Sequence, residues 1–124
     1  LLNSCGKALC LDNENLINVV TAISGSGPAY IFYLVEVLSK IGMNQGLSAE
    51  SAKVLALETL IGSAMLLESS NIDPKILRQN VTSPGGTTEA GLEILASKKN
   101  GLFDLLNNTI SSAKERAIYL NSNN

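Results

Sequence analysis

Two short segments of this chain carry residue types from which a binding or reaction site can be built. The first is Ser24-Gly25-Ser26-Gly27-Pro28-Ala29-Tyr30. Glycines alternating with small residues after an apolar run bring to mind a dinucleotide-binding fingerprint. The chemistry argues against it, because Tyr30 stands where the third glycine would let helix and strand pack closely. Pro28 removes an amide that would face a pyrophosphate. No acidic residue stands about 20 positions on to hold a ribose, where the chain reads Gln45-Gly46-Leu47-Ser48-Ala49-Glu50. A plain helix cap and a surface where a ligand approaches the backbone both remain open for this segment.

The second segment, Thr82-Ser83-Pro84-Gly85-Gly86-Thr87-Thr88, is the better candidate. It combines hydroxyls with two adjacent glycines and leads into a helix expected to open at Glu89. A helix N-terminus presents amides without carbonyl partners and the positive end of the helix dipole, a setting that attracts a small anion. Glycine lets the backbone come close, and Ser83 and Thr88 can donate through their side chains. A carboxylate suits such a place. On its residues alone, the segment fits an anion site and an ordinary capped turn equally.

Other chemistries lack their parts. The chain has no His and only two Cys, so no Ser–His or Cys–His pair and no HExxH helix exists for hydrolysis. Cys5 and Cys10 match neither a CxxC redox pair nor half of a zinc site, and they read as reduced thiols of a cytoplasmic protein. No metal site is expected. Glu36, Glu58, Glu68, Glu89 and Glu93 read as solvated or salt-bridged helix residues. Lys98-Lys99 and Lys114-Glu115-Arg116 read as solvated helix ends.

The elements that must position these segments are helical by pattern. Leu and Ala far outnumber Val, which favours helix over strand. Leu16 to Ile23 stays ambiguous between a strand and a buried helical turn. Ser26 is expected to cap a helix that opens on Gly27-Pro28 and runs towards Met43, with Gly46 closing it in a left-handed turn. Ser48 caps the next helix, whose Val54, Leu57, Ile61, Ala64, Met65 and Leu67 recur at helical spacing. Asp73-Pro74 follows a loop from Ser69 and opens a short helix to about Asn80 that turns Ile76 and Leu77 inward. Glu89 to Lys99 is expected as a helix stopped by Asn100-Gly101, with Leu92 and Leu95 on one face. Leu102 to Leu120 forms the last helix. The expected fold is an all-α bundle in one domain over 1–124, with 1–15 a linker or first helix start and 121–124 a frayed tail.

Within that bundle the Ala29–Leu38 helix is apolar nearly all round, with Glu36 its only charge. Such a helix must be covered on every side. In a chain of 124 residues and 13.1 kDa, the favoured cover is a second copy, which makes a homodimer the expectation; a wrap of the chain's own helices is the alternative. The size suffices for a core without disulfide or metal staples. Net charge −2 and pI near 5.0 argue against nucleic acid as a partner. No apolar run approaches the roughly 20 residues that would span a membrane, and no signal peptide is visible, so a cytoplasmic location is expected. Leu1 in place of Met leads us to expect a processed chain or a piece of a longer one.

Val20-Thr21-Ala22-Ile23-Ser24-Gly25-Ser26-Gly27-Pro28-Ala29-Tyr30, followed some fifty residues on by Val81-Thr82-Ser83-Pro84-Gly85-Gly86-Thr87-Thr88-Glu89-Ala90-Gly91-Leu92, resembles the C-terminal dimerisation domain of pyrroline-5-carboxylate reductase. The likeness runs from about Gly6 to Arg116. It implies a helical dimerisation bundle like the C-terminal domain of 6-phosphogluconate dehydrogenase, with the Rossmann domain that binds most of NAD(P)H absent from these residues. The implied reaction is hydride transfer to the C=N carbon of 1-pyrroline-5-carboxylate, giving L-proline. By position, Ser83, Thr88 and the backbone at Gly86 and Thr87 would hold the substrate carboxylate. Thr21 would lie near the ring nitrogen as the catalytic residue, and Ser24, Gly25 and Pro28 would face the nicotinamide. Reducing an imine calls for positioning and a cofactor more than for a strong acid or base, so a chain without His can serve. Where the family pattern leads us to expect an aspartate, this chain has Asn18, and the Ser70–Asn71 region is also neutral. The resemblance further implies homo-oligomers, and that these residues alone are inactive. A helical module that only dimerises, or the helical domain of another hydroxyacid or imine reductase, are the competing readings.

Overall fold

The computed structural model describes residues 10–123. Cys5 and the expectations for the first nine residues lie outside that range. Every regular element among the described residues is helical, as an all-α fold requires. A 3-10 turn at Glu14–Leu16 leads into α1 (Ile17–Val20) and a π-helical turn (Thr21–Gly25). The remaining helices are α2 (Gly27–Asn44), α3 (Ala49–Ser70), α4 (Pro74–Asn80), α5 (Thr87–Leu95) and α6 (Leu102–Ser122). The ambiguous Leu16–Ile23 run is therefore helical.

Most helix ends follow from their own side chains. Ser48 is extended and its Oγ accepts the Ser51 N–H at 3.1 Å, which starts α3. The Asp73 carboxylate accepts the Lys75 N–H at 2.7 Å, and Pro74 occupies the first helical position of α4. Gly46, at φ +100°, closes α2: its N–H donates to the Met43 carbonyl while the Leu47 N–H donates to Gly42. These two bonds make a Schellman ending.

Other ends depart from the expectations. Ser26 does not cap α2 from an extended conformation; its backbone is right-handed helical and continues the π turn. α3 runs through Ser70 and is closed by Asn71 in the left-handed region, so the loop before α4 is shorter than read from Ser69. α5 opens on Thr87, two residues before Glu89. It ends at Leu95, because Ala96 leaves helical geometry and Ser97–Asn100 form a separate tight turn. α6 continues to Ser122, and the Asn121 amide donates to the Asn18 side-chain oxygen at 3.0 Å. Lys114-Glu115-Arg116 accordingly lie inside α6, with Arg116 over the Tyr119 ring. Ile76 is exposed, and only Leu77 of that pair is half-buried.

The chain divides into two compact units. One joins the described residues up to Gly27 with those from Leu106 to 123, and there Ala22 is fully buried. The other is Pro28–Leu105, in which α2 meets α3 across small residues. A Cβ on Gly42 would come within 3.1 Å of the Ala52 Cβ and 3.2 Å of a Leu47 methyl. Ala52 and Ala56 are the buried residues of α3, while Val54, Leu57, Ile61 and Met65 are exposed. A shallow apolar groove of about 220 Å³ opens beside this contact, between Leu38 and Thr59.

Within its own unit, the described helices do not wrap α2. Ile31, Phe32, Tyr33 and Leu34 are consecutive residues pointing in different directions around the helix, and all are exposed. Among the described residues no helix is long and apolar enough to cross a membrane.

Candidate functional site

The Thr82–Thr88 segment is organised by a turn that its sequence demands. The Gly86 N–H donates to the Ser83 carbonyl at 3.0 Å, closing a four-residue turn over Pro84 and Gly85. Gly85 has φ +70°, and proline followed by a positive-φ glycine are the central residues of a type II turn. Gly86 is then the extended N-cap of α5, without a side-chain cap of its own. A Cβ there would come within 3.0 Å of the Ser83 carbonyl oxygen, so a side chain at Gly86 would press on the turn.

The donors of this segment are thereby sorted. Thr82 turns back, its hydroxyl donating to the Arg78 carbonyl at 2.6 Å. Gly86 spends its amide on the turn. The Gly85 N–H donates to Glu89 Oε2 at 2.7 Å, so Glu89 is not merely a solvated carboxylate as its sequence position suggested. What remains for a ligand is the first turn of α5. The amides of Thr87 and Thr88 stand there before any carbonyl four residues back can receive them. The hydroxyls of Ser83, Thr87 and Thr88 are exposed, and no hydrogen bond engages them among the described residues. Such an arrangement can bind a small carboxylate through backbone amides and hydroxyls, aided by the helix dipole. Gly86 contributes close backbone approach there, while the donors come from its neighbours.

The first segment is helical rather than a loop. The Ser26 N–H donates to the Thr21 carbonyl at 2.9 Å, the five-residue spacing of a π turn. π turns inside helices recur at functional sites, and β-branched Val19-Val20-Thr21 gave no sign of one in the sequence. Thr21 and Ser24 both donate their hydroxyls backwards, to the carbonyls of Ile17 and Val20 at 2.9 and 3.0 Å. The lone pairs of Thr21 Oγ1 thus remain available as acceptors on an exposed side chain. Gly25 packs against the Thr21 methyl at 3.6 Å, and a Cβ on Gly27 would meet nothing within 4 Å. Pro28 follows in the first turn of α2. Thr21, Ser24 and Gly25 belong to one unit of the chain, and Pro28 with the Ser83–Thr88 residues to the other.

Glu89 is the residue that sequence reasoning missed. The signal was present, since a glutamate at the third helical position is half of a capping box. The absence of Ser or Thr at the cap position, where Gly86 stands, hid it. Among the described residues, no group of three or more His, Cys, Asp or Glu is placed to hold a metal ion.

Comparison with known proteins shows the family to which this fold belongs. Residues 14–120 match the family model described as pyrroline-5-carboxylate reductase dimerisation. The pyrroline-5-carboxylate reductase of Pseudomonas aeruginosa is 43% identical over 97% of this chain and 43% of its own length. The solved structure of a pyrroline-5-carboxylate reductase from Coxiella burnetii superposes with a TM-score of 0.84 at 37% identity, covering 93% of this chain and 42% of that one. The enzyme from Plasmodium falciparum, solved with NADP bound, gives a TM-score of 0.79 at 37% identity, covering 92% and 42%. The chain spans about two fifths of the length of the relatives it matches. On the match across residues 14–120, the chain belongs to the pyrroline-5-carboxylate reductase dimerisation family.

Proposed function

We propose that this chain is the dimerisation and substrate-binding part of a reductase that converts 1-pyrroline-5-carboxylate to L-proline with NAD(P)H. The observation that carries the reading is the first turn of α5. A type II turn delivers a helix N-terminus with the Thr87 and Thr88 amides and the Ser83 and Thr88 hydroxyls available to one small anion. The substrate's carboxylate is such an anion, and binding it there fixes the ring by one end. For Thr21, the role carried over from the family pattern is at the ring nitrogen. Its hydroxyl proton is held by Ile17, so Oγ1 accepts, which suits the N–H of a protonated imine better than a bare nitrogen.

The described residues form no strand and so no dinucleotide fold. NAD(P)H is accordingly bound mainly by a nucleotide-binding domain outside this chain, as the share of the relatives' length left unmatched allows. The residues present fit contact with its nicotinamide end: Ser24, Gly25 and Pro28 give small exposed surface, and the space beside Gly27 is open. When bound, the cofactor supplies hydride to the C=N carbon. The protein's share is orientation of the ring and binding of its charges.

The same reading takes the assembly to be at least a homodimer, supported by the family's description and by α2, where Phe32 and Tyr33 are 72% and 64% exposed. Nucleic acid and membrane are not partners in it. Among the described residues Cys10 has no disulfide partner and is exposed; the reading places the protein in the cytoplasm.

The test is steady-state kinetics of the full-length protein. NAD(P)H is oxidised with pyrroline-5-carboxylate, and the segment alone gives no turnover. Thr88→Ala raises KM for pyrroline-5-carboxylate about tenfold, the value of one hydrogen bond to a charged group, with little change in kcat. Unchanged KM in that variant overturns the carboxylate assignment.

A further inference from the structure

Four residues of the described chain have positive φ where only glycine or asparagine stands: Gly46, Asn71, Gly85 and Asn100. Gly46 and Asn71 close helices. Gly85 and Asn100 instead precede helices, and both are fastened in the same way. The Gly85 N–H donates to the carboxylate of Glu89, and the Asn100 N–H donates to that of Asp104 at 2.8 Å. In each case a carboxylate four residues ahead, in the first turn of the helix, ties down the left-handed residue.

In the Ser83–Gly86 turn this tie has a specific consequence. The turn's own hydrogen bond uses the Gly86 N–H and the Ser83 carbonyl. Pro84 has no N–H, so Gly85 supplies the only amide of the turn's two central residues, and Glu89 takes it. Without an acceptor there, glycine at Gly85 has the widest conformational freedom of any residue to leave φ +70°. The direction of the next amides, Thr87 and Thr88, depends on it. The tie also places a negative charge at the helix end that is otherwise suited to an anion. It therefore opposes a bound carboxylate electrostatically while organising the amides that would bind it.

We propose that Glu89 is a positioning residue: by accepting the Gly85 N–H, it holds the turn in the conformation in which the first turn of α5 receives the substrate carboxylate, and it closes Gly85 to the ligand. The inference rests on the carboxylate reading of that turn given above. Its role is as a hydrogen-bond acceptor, so a neutral acceptor of the same length can replace it.

The experiment compares Glu89→Gln, Glu89→Leu and Thr88→Ala in the full-length reductase. KM and kcat are measured together with amide exchange at Gly85 by NMR. Glu89→Leu retains helix-forming character and removes the acceptor. It is expected to raise KM for pyrroline-5-carboxylate about tenfold over Glu89→Gln, at similar kcat, and to speed Gly85 amide exchange by about the same factor. Glu89→Gln keeps the Gly85 amide protected. Equal KM in Glu89→Leu and Glu89→Gln, with Thr88→Ala still raising it, overturns the role of Glu89 and leaves the carboxylate site standing. If Thr88→Ala leaves KM unchanged as well, the carboxylate reading fails, and the inference fails with it. Should Glu89→Leu not fold, Glu89→Ala with the same two readouts decides. A Gly85 amide that stays protected in the variant lacking the acceptor also overturns the proposal.

Discussion

Phe32 offers a quantitative test of the assembly. The residue is 72% exposed on a helix whose neighbouring Ile31, Tyr33 and Leu34 are exposed too. An aromatic side chain buries about 150–250 Å² when fully covered, so roughly 140 Å² of Phe32 is left for a partner to cover. At about 25 cal/mol per Å² this is worth about 3.5 kcal/mol. A two-fold interface contains the residue twice, which gives about 7 kcal/mol, or about five powers of ten in Kd. Phe32→Ser removes nearly all of that area. Because the ring touches little of its own chain, and serine and phenylalanine have similar helix propensity, α2 itself should survive. Sedimentation velocity over a range of loading concentrations should show the variant's dimer dissociating at concentrations where the parent stays intact. Even half the calculated energy moves the midpoint by two to three decades, about what one well-packed aromatic contributes as a hot spot. A dissociation constant within tenfold of the parent would mean that no partner copy covers this face of α2.

Two stability predictions concern helix boundaries. Gly101→Ala puts a Cβ against the backbone carbonyl oxygens of Ser97 and Leu95, which cannot swing aside as a side chain would. A loss of about 2–3 kcal/mol is expected, seen as a fall of roughly 10 °C in Tm by calorimetry; an unchanged Tm would mean that the Ser97–Asn100 turn can relax. Ser48→Ala leaves the Ser51 amide without its acceptor and should cost about 1 kcal/mol, measurable as a lower urea midpoint at unchanged slope.

The helix ends legible in the sequence rest on interactions a few residues long. Ser48 with Ser51, Asp73 with Lys75 across Pro74, and Gly46 with Met43 and Gly42 each settle a helix end within one turn of chain. The features that the sequence does not display are of another kind. α5 stops at Leu95 because of a turn packed around Gly101, whose crowding involves carbonyls up to six residues away. Glu89 looked solvated because its partner is a backbone amide, which side-chain pattern does not display. The π turn at Thr21 leaves no compositional mark, since it differs from an α turn by a single residue in hydrogen-bond spacing.

By itself, the sequence determined that this chain is helical and where most helices begin and end. Its two motifs carried the resemblance to pyrroline-5-carboxylate reductase. It also showed α2 to be too apolar to stand alone. Only the tertiary structure decided which face of α3 is buried. The periodic Val54, Leu57, Ile61 and Met65 form an apolar stripe, yet Ala52 and Ala56 are the residues covered. The reason is geometric. Gly42 lets α2 approach so closely that only alanines fit between the helices, which leaves the large side chains facing outward. Helical periodicity records that a face is apolar; what covers it depends on how near a second helix can come.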